Sequence, residues 1–194
     1  MWEVGAVYHL VSRGSNRQAI FLNEGDRVEF DMLMHETALR HAVDTYAWSL
    51  MQTHWHILAA CPPEGLSGFV KQLNHRYAIR FDRRWDRTGH VFQSHFRAVR
   101  QTTEEQFLWT LRYVVRNPVK AGICASPFDA KWTSFAATAG LTKAPAHLRV
   151  VEILARFAED VEEARRRYVE FVLGDVLEGD SVLEDDLSVP ALAY

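Results

Sequence analysis

Cysteine is scarce in this chain: Cys61 and Cys124 are the only two among 194 residues. Two are too few for the disulfide framework of a small secreted domain. A basic and then apolar leader is missing too, since Met1 is followed by Trp2, Glu3, Val4 and Gly5. No apolar run approaches the roughly 18 residues of a membrane span. These absences lead us to expect a cytoplasmic protein with reduced thiols and no membrane partner. No internal repeat or low-complexity tract is present. With 48% hydrophobic and 24% charged residues, a collagenous, mucin-like or wholly disordered chain is excluded.

Excess charge also looks absent, because the formal net charge is only −3. That total hides a split along the chain. Residues 71–120 hold 11 basic and 4 acidic side chains, whereas residues 174–194 hold six acids and no base. Such asymmetry suggests a basic binding surface and an acidic tail. A solvated helix face with a solubilising tail would produce the same counts. The expected organisation is a domain over 1–140, a helical appendix over 141–173 and an acidic, loose tail over 174–194.

Strand formers from Val7 to Val11 predict a first strand, broken by the Ser12–Asn16 run. Apolar Val28, Leu33, Met34 and Leu39 predict a helix over 26–42. Asp44–Met51 and His54–Cys61 suit a hairpin turned at Gln52-Thr53. Phe69, Leu73, Tyr77 and Phe81 recur every four residues, so 66–85 reads as an amphipathic helix. Val91–Val99 reads as a fourth strand. A further helix starts at an N-cap Thr103 and is expected to end near Asn117, before Pro118. The order β-α-β-β-α-β predicts an α+β, ferredoxin-like fold with one antiparallel sheet and two helices on one face. Leu148–Leu173 reads as one more helix.

His54 and His56 carry the first chemical signal. Two apart on a strand, their imidazoles share one face and can share a divalent metal. A pair of hydrogen-bonded structural histidines fits the same spacing. Tyr113 carries the second signal. It lies four residues before Asn117, so both occupy one helical face. A core tyrosine and a helix-ending asparagine would read alike. A phenol beside a metal is nonetheless a workable phosphodiester-cleaving set.

His54-Trp55-His56 resembles the histidine–hydrophobic–histidine motif of HUH endonucleases. Tyr8–Phe21 resembles the opening of the REP-associated tyrosine transposases, single-tyrosine transposases of that superfamily. Met51–Leu58 is similar to another of their segments, with Thr53 where members usually have Asn. Arg112–Gly122 resembles the segment with their catalytic tyrosine, and Trp132–Phe135 the motif that closes their domain, which usually ends in Tyr. These matches run in order from residue 7 to about 136.

The resemblance implies an enzyme that binds single-stranded or hairpin DNA of the REP type, and nicks and rejoins it by transesterification. Tyr113 would be the nucleophile. His54 and His56 would be metal ligands, joined by Asn117 where relatives place a Gln. The metal would be Mg2+ or Mn2+, and no nucleotide cofactor is implied. Both monomeric and homodimeric action occur among the relatives.

Arginines and one lysine form the expected phosphate-binding set. They are Arg13 and Arg17, with Asn16 between them; Arg76, Arg80, Arg83 and Arg84 on one helix; Arg97 and Arg100 at the fourth strand; and Arg112, Arg116 and Lys120 around the tyrosine. Trp85 and Phe92 could stack on unpaired bases or fill the core. Two other readings remain open at this level. One is a domesticated, non-catalytic nucleic-acid-binding module. The other is a metal-dependent phosphoesterase driven by a metal-bound water.

Overall fold

Four runs of strand formers pair into one sheet in a computed structural model that describes residues 2–174. The strands are β1 (Val7–Arg13), β2 (Thr45–Met51), β3 (His54–Ala60) and β4 (Arg97–Arg100). Their spatial order is β2-β3-β1-β4, and every neighbouring pair is antiparallel. Two long helices, α1 (Glu24–Arg40) and α2 (Ser67–Trp85), pack together on one face. The ferredoxin-like α+β arrangement expected from the element order is therefore present. A third long helix, α3 (Glu104–Lys120), packs on the opposite face against β2 and β3.

Sheet register assigns each side chain to a face, because successive residues alternate. His54 pairs with Arg13 and Met51, and His56 pairs with Val11 and Ser49. His9, Val11, Arg13, His54, His56 and Arg97 therefore point toward α3. Trp55, Ile57 and Leu10 point the other way, into a core with Phe30, Leu33, Phe69, Leu73 and Tyr77. Trp55 is completely buried, and its indole N–H donates to Asn74 Oδ1 at 3.1 Å.

Several boundaries differ from those expected. The fourth strand is short: only Arg97–Arg100 joins the sheet. Upstream, Gln93 N donates to Arg13 O and Phe92 makes an isolated bridge to Gly14, so the chain runs past the end of β1 as a loop. In α1 the buried face runs through Phe30, Leu33, Met34, Thr37 and Ala38. Val28 and Leu39 are 46% and 61% exposed, because each sits about half a turn from Phe30.

Pro118 does not end α3; it lies inside the helix. It forfeits one backbone donor in the last turn, yet Ala121 N still reaches Asn117 O at 2.9 Å. The helix runs on to Lys120, and the chain turns away at Gly122, whose φ of 67° suits a residue without a Cβ.

The long C-terminal helix expected over 148–173 is two helices, α5 (Val150–Leu154) and α6 (Val161–Leu173). Asp160 starts the second one by accepting a hydrogen bond from Glu163 N. Before them comes one short turn, α4 (Phe135–Thr138). Segments on both sides of α4 lie along β2. Leu50 N donates to Trp132 O, and Thr45 N donates to His147 O. The expected loose tail, apart from Gly174, falls outside the described residues.

Candidate active site

The β2–β3 turn at Gln52-Thr53 holds His54 and His56 at the start of β3, on the α3 side of the sheet. Their ring centroids are 4.8 Å apart. In both rings Nδ1 is engaged. His54 Nδ1 lies 3.0 Å from Thr53 Oγ1. His56 Nδ1 lies 2.9 Å from His9 Nε2, across β1. His56 Nε2 is buried and has no hydrogen-bond partner. A buried polar atom without a partner is rare in folded proteins, and a cation bound there would satisfy it.

Burial keeps these imidazoles neutral. It is the largest influence on all three, and nearby positive charge adds to it. His54 is pushed down to about 4, by desolvation and then by the Arg13 guanidinium. His9 is pushed down to about 3, by desolvation and then by Arg97. His56 lies well below the usual histidine range through desolvation and then its two histidine neighbours and Arg13. A neutral imidazole is the form that ligates a metal.

α3 delivers the tyrosine to this cluster. Its N-terminus is fixed by Thr103, whose side chain accepts from Gln106 N, and by Glu104 and Glu105 in the first turn. Tyr113 then packs edge-on against two of the imidazoles, 5.7 Å from His56 and 6.0 Å from His9 between ring centroids. Lys120, two turns further along, places Nζ 5.2 Å from the Tyr113 ring centroid. Asn117 is buried, and its side-chain N–H donates to Tyr113 O at 3.4 Å. Among the described residues, no three His, Cys, Asp or Glu side chains converge to hold a metal.

The candidate phosphate-binding residues divide by position. Arg13 and Arg97 share the histidine face, and Lys120 stands over the tyrosine. Asn16 and Arg17 are exposed, both with positive φ, at the rim of a cleft of about 950 Å³ that also includes Arg87, His90 and His95.

The remaining arginines lie elsewhere. Arg76, Arg80 and Arg84 pair with Glu36, Glu29 and Asp26 of α1, behind the sheet. Arg83, on α2 with them, is exposed. Arg100 pairs with Glu3. Arg112 is buried and donates to Gly174 O; Arg116 donates to Val172 O and Gly174 O. These last two satisfy carbonyls at the end of α6, where cations are favourable. The spacing that suggested a basic face on α2 thus marks an ion-paired seam with α1. Phe92 is buried, and Trp85 is half-buried with its indole N–H donating to Asp26, so Phe92 presents no stacking face.

Sequence reasoning gave His9 no role. The signal was present, because His9, Val11 and Arg13 alternate toward the face that bears His54 and His56. It becomes readable only once β1 is known to pair with β3.

A family model described as "Transposase IS200 like" matches residues 4–118. No curated protein matches the chain. Among solved structures, a REP-associated tyrosine transposase bound to a REP hairpin aligns with a TM-score of 0.62 at 15% identity. That alignment covers 77% of this chain and 94% of the other, and it shows a shared fold. A putative transposase from Deinococcus radiodurans gives a TM-score of 0.44 at 17% identity, over 59% and 92% of the two chains. The matched stretch spans more than half of the sequence and contains His9, His54, His56, Tyr113 and Asn117, so the protein belongs to the IS200-like transposase family.

Proposed function

We propose that this protein binds single-stranded or hairpin DNA and cleaves it through Tyr113. The observation that carries the reading is the packing of Tyr113 against His56, 5.7 Å between ring centroids. A lone buried tyrosine would be structural. A tyrosine on a neutral imidazole cluster flanked by Arg13, Arg97 and Lys120 has what phosphoryl transfer needs: a nucleophile, ligands for a cation, and positive charge.

The Tyr113 oxygen attacks a backbone phosphorus. A P–O bond to Tyr113 forms while the bond to the 3′-oxygen breaks, giving a 5′-phosphotyrosyl link and a free 3′-hydroxyl. The phenolic proton leaves with solvent or the 3′-oxygen. Attack by another 3′-hydroxyl reverses the step and joins strands. Because the phosphodiester energy stays in the covalent link, no nucleotide cofactor enters. The Lys120 ammonium brings a positive charge to the tyrosine, 5.2 Å from its ring centroid. Arg13 and Arg97 favour the charge that builds on the phosphate oxygens.

His54 and His56 would hold Mg2+ or Mn2+ through Nε2, with Asn117 as the amide ligand. This set suits Mn2+ at least as well as Mg2+. When bound, the cation polarises the scissile phosphate and offsets developing charge.

Incubation with a hairpin-bearing single-stranded oligonucleotide and Mn2+ tests the proposal. A protein–DNA adduct stable to denaturation is expected, and Tyr113→Phe is expected to abolish it. Cleavage that persists in Tyr113→Phe would refute the tyrosine assignment and favour a water-driven phosphoesterase. Binding without cleavage by the wild-type protein would favour a domesticated binding module.

A further inference from the structure

We infer that His9 is a positioning residue that fixes which nitrogen of His56 is available to a metal. The inference rests on the proposed metal role of His54 and His56, and it concerns a residue outside that ligand set. His9 lies on β1 and His56 on β3, 47 residues apart in sequence. Both are buried, at 5% and 0% exposure. Their rings lie nearly parallel, 19° apart, with His9 Nε2 at 2.9 Å from His56 Nδ1.

A hydrogen bond between two imidazoles needs one proton and one lone pair at the contact. Burial disfavours the charged form of either ring, so each carries a single proton. Two arrangements are then possible. If His9 Nε2 donates, His56 carries its own proton on Nε2, and that nitrogen has no lone pair for a cation. If His56 Nδ1 donates, His56 Nε2 has a lone pair and His9 carries its proton on Nδ1.

The surroundings favour the second arrangement. His56 Nε2 is buried without any acceptor. A proton there would be an unsatisfied buried donor, which costs about 1–3 kcal/mol. A lone pair there costs less in the absence of a cation and becomes a bond in its presence. His9 thus does for His56 what a carboxylate or backbone carbonyl does for many metal-ligating histidines. Thr53 Oγ1 stands in the equivalent position for His54.

Two readouts test this. The first needs no metal: a long-range 1H–15N correlation on chelator-treated protein reports the tautomer of His56. The Nδ1–H form is expected in the wild type. The Nε2–H form would overturn the inference, whether or not the metal site itself is correctly assigned.

The second is Mn2+ affinity, read by electron paramagnetic resonance without DNA. His9→Ala is expected to weaken binding about 10- to 100-fold. His9→Gln, whose amide oxygen can occupy the place of Nε2 and accept, is expected to recover most of that loss. A folded His9→Ala with unchanged affinity would overturn the inference, as would a folded His9→Gln no better than Ala. Wild-type affinity unchanged by His56→Ala would instead refute the metal role, and the tautomer measurement would then decide the pairing on its own.

Discussion

Acid should loosen the segment that ties the C-terminal region to the sheet, and His147 is the group that responds. Thr45 N donates to His147 O at 2.7 Å, and Arg149 N donates back to Thr45 O at 2.9 Å. The His147 ring is buried at 2% exposure, with Nδ1 2.8 Å from Thr45 Oγ1 and Nε2 unpartnered. His35 lies edge-on to it at 4.6 Å, and Trp48 is tilted against it at 5.6 Å. Burial first, and then His35, push His147 down to about 4. In the unfolded chain it takes up its proton near 6.5.

The folded protein therefore binds fewer protons than the unfolded one between those two values. The stability that this difference represents is complete above pH 6.5, falls as the pH drops, and is gone below about 4. The slope is about 1.4 kcal/mol per pH unit, so a fall from 6.5 to 5 removes about 2 kcal/mol. Urea denaturation of wild type and His147→Gln at pH 7.5, 6 and 5 isolates this contribution. Groups common to both proteins, including Asp31 with its carboxyl raised by burial, cancel in the difference.

At pH 7.5 the variant should be less stable by about 1–2 kcal/mol, for the lost Thr45 contact and poorer packing. That gap should shrink by about 2 kcal/mol at pH 5, closing or reversing the order of the two proteins. A gap that stays constant across the range would refute the reasoning.

Two substitutions probe the framework on either side of the sheet. Asp26 is 1% exposed; its carboxylate accepts from Leu22 N, Asn23 N and the Trp85 indole and pairs with Arg84. Asp26→Ala should cost about 3–5 kcal/mol in denaturant titration, with Asp26→Asn losing less, and a loss below about 1 kcal/mol would contradict the capping role. At Gly14 an added Cβ would sit 2.3 Å from Gln18 O and 2.9 Å from Ile20 Cγ2. Gly14→Ala should therefore displace the Arg13–Arg17 loop at a cost of about 1–3 kcal/mol and weaken oligonucleotide binding. Unchanged stability together with unchanged affinity would show that this loop does not need the close approach.

Local pattern was enough for the hairpin, for α2 and for the shared face of His54 and His56. Each depends on residues near one another in sequence. The misreadings arise where distant partners decide. Val91 and Phe92 look like strand residues, but strand pairing depends on where β1 ends. Pro118 looks like a stop, yet it is buried in the last turn of α3, which runs on to Lys120. The arginines of α2 look like a phosphate-binding row because their partners Asp26, Glu29 and Glu36 lie some forty to sixty positions earlier. His9 was invisible for the same reason, since its meaning depends on a cross-strand neighbour.

The two edges of the sheet are closed to strand addition in different ways. β2 is covered by the segments around Trp132–Ser134 and His147–Arg149, which take up its outward N–H and C=O groups at Leu50, Trp48 and Thr45. β4 is only four residues long and has arginine at each end. Short, charged edge strands resist the edge-to-edge pairing that seeds fibrils and domain swaps. Strand addition is thereby disfavoured at both edges of the sheet. A protein whose proposed substrate is an unpaired strand of DNA offers no readily paired strand of its own.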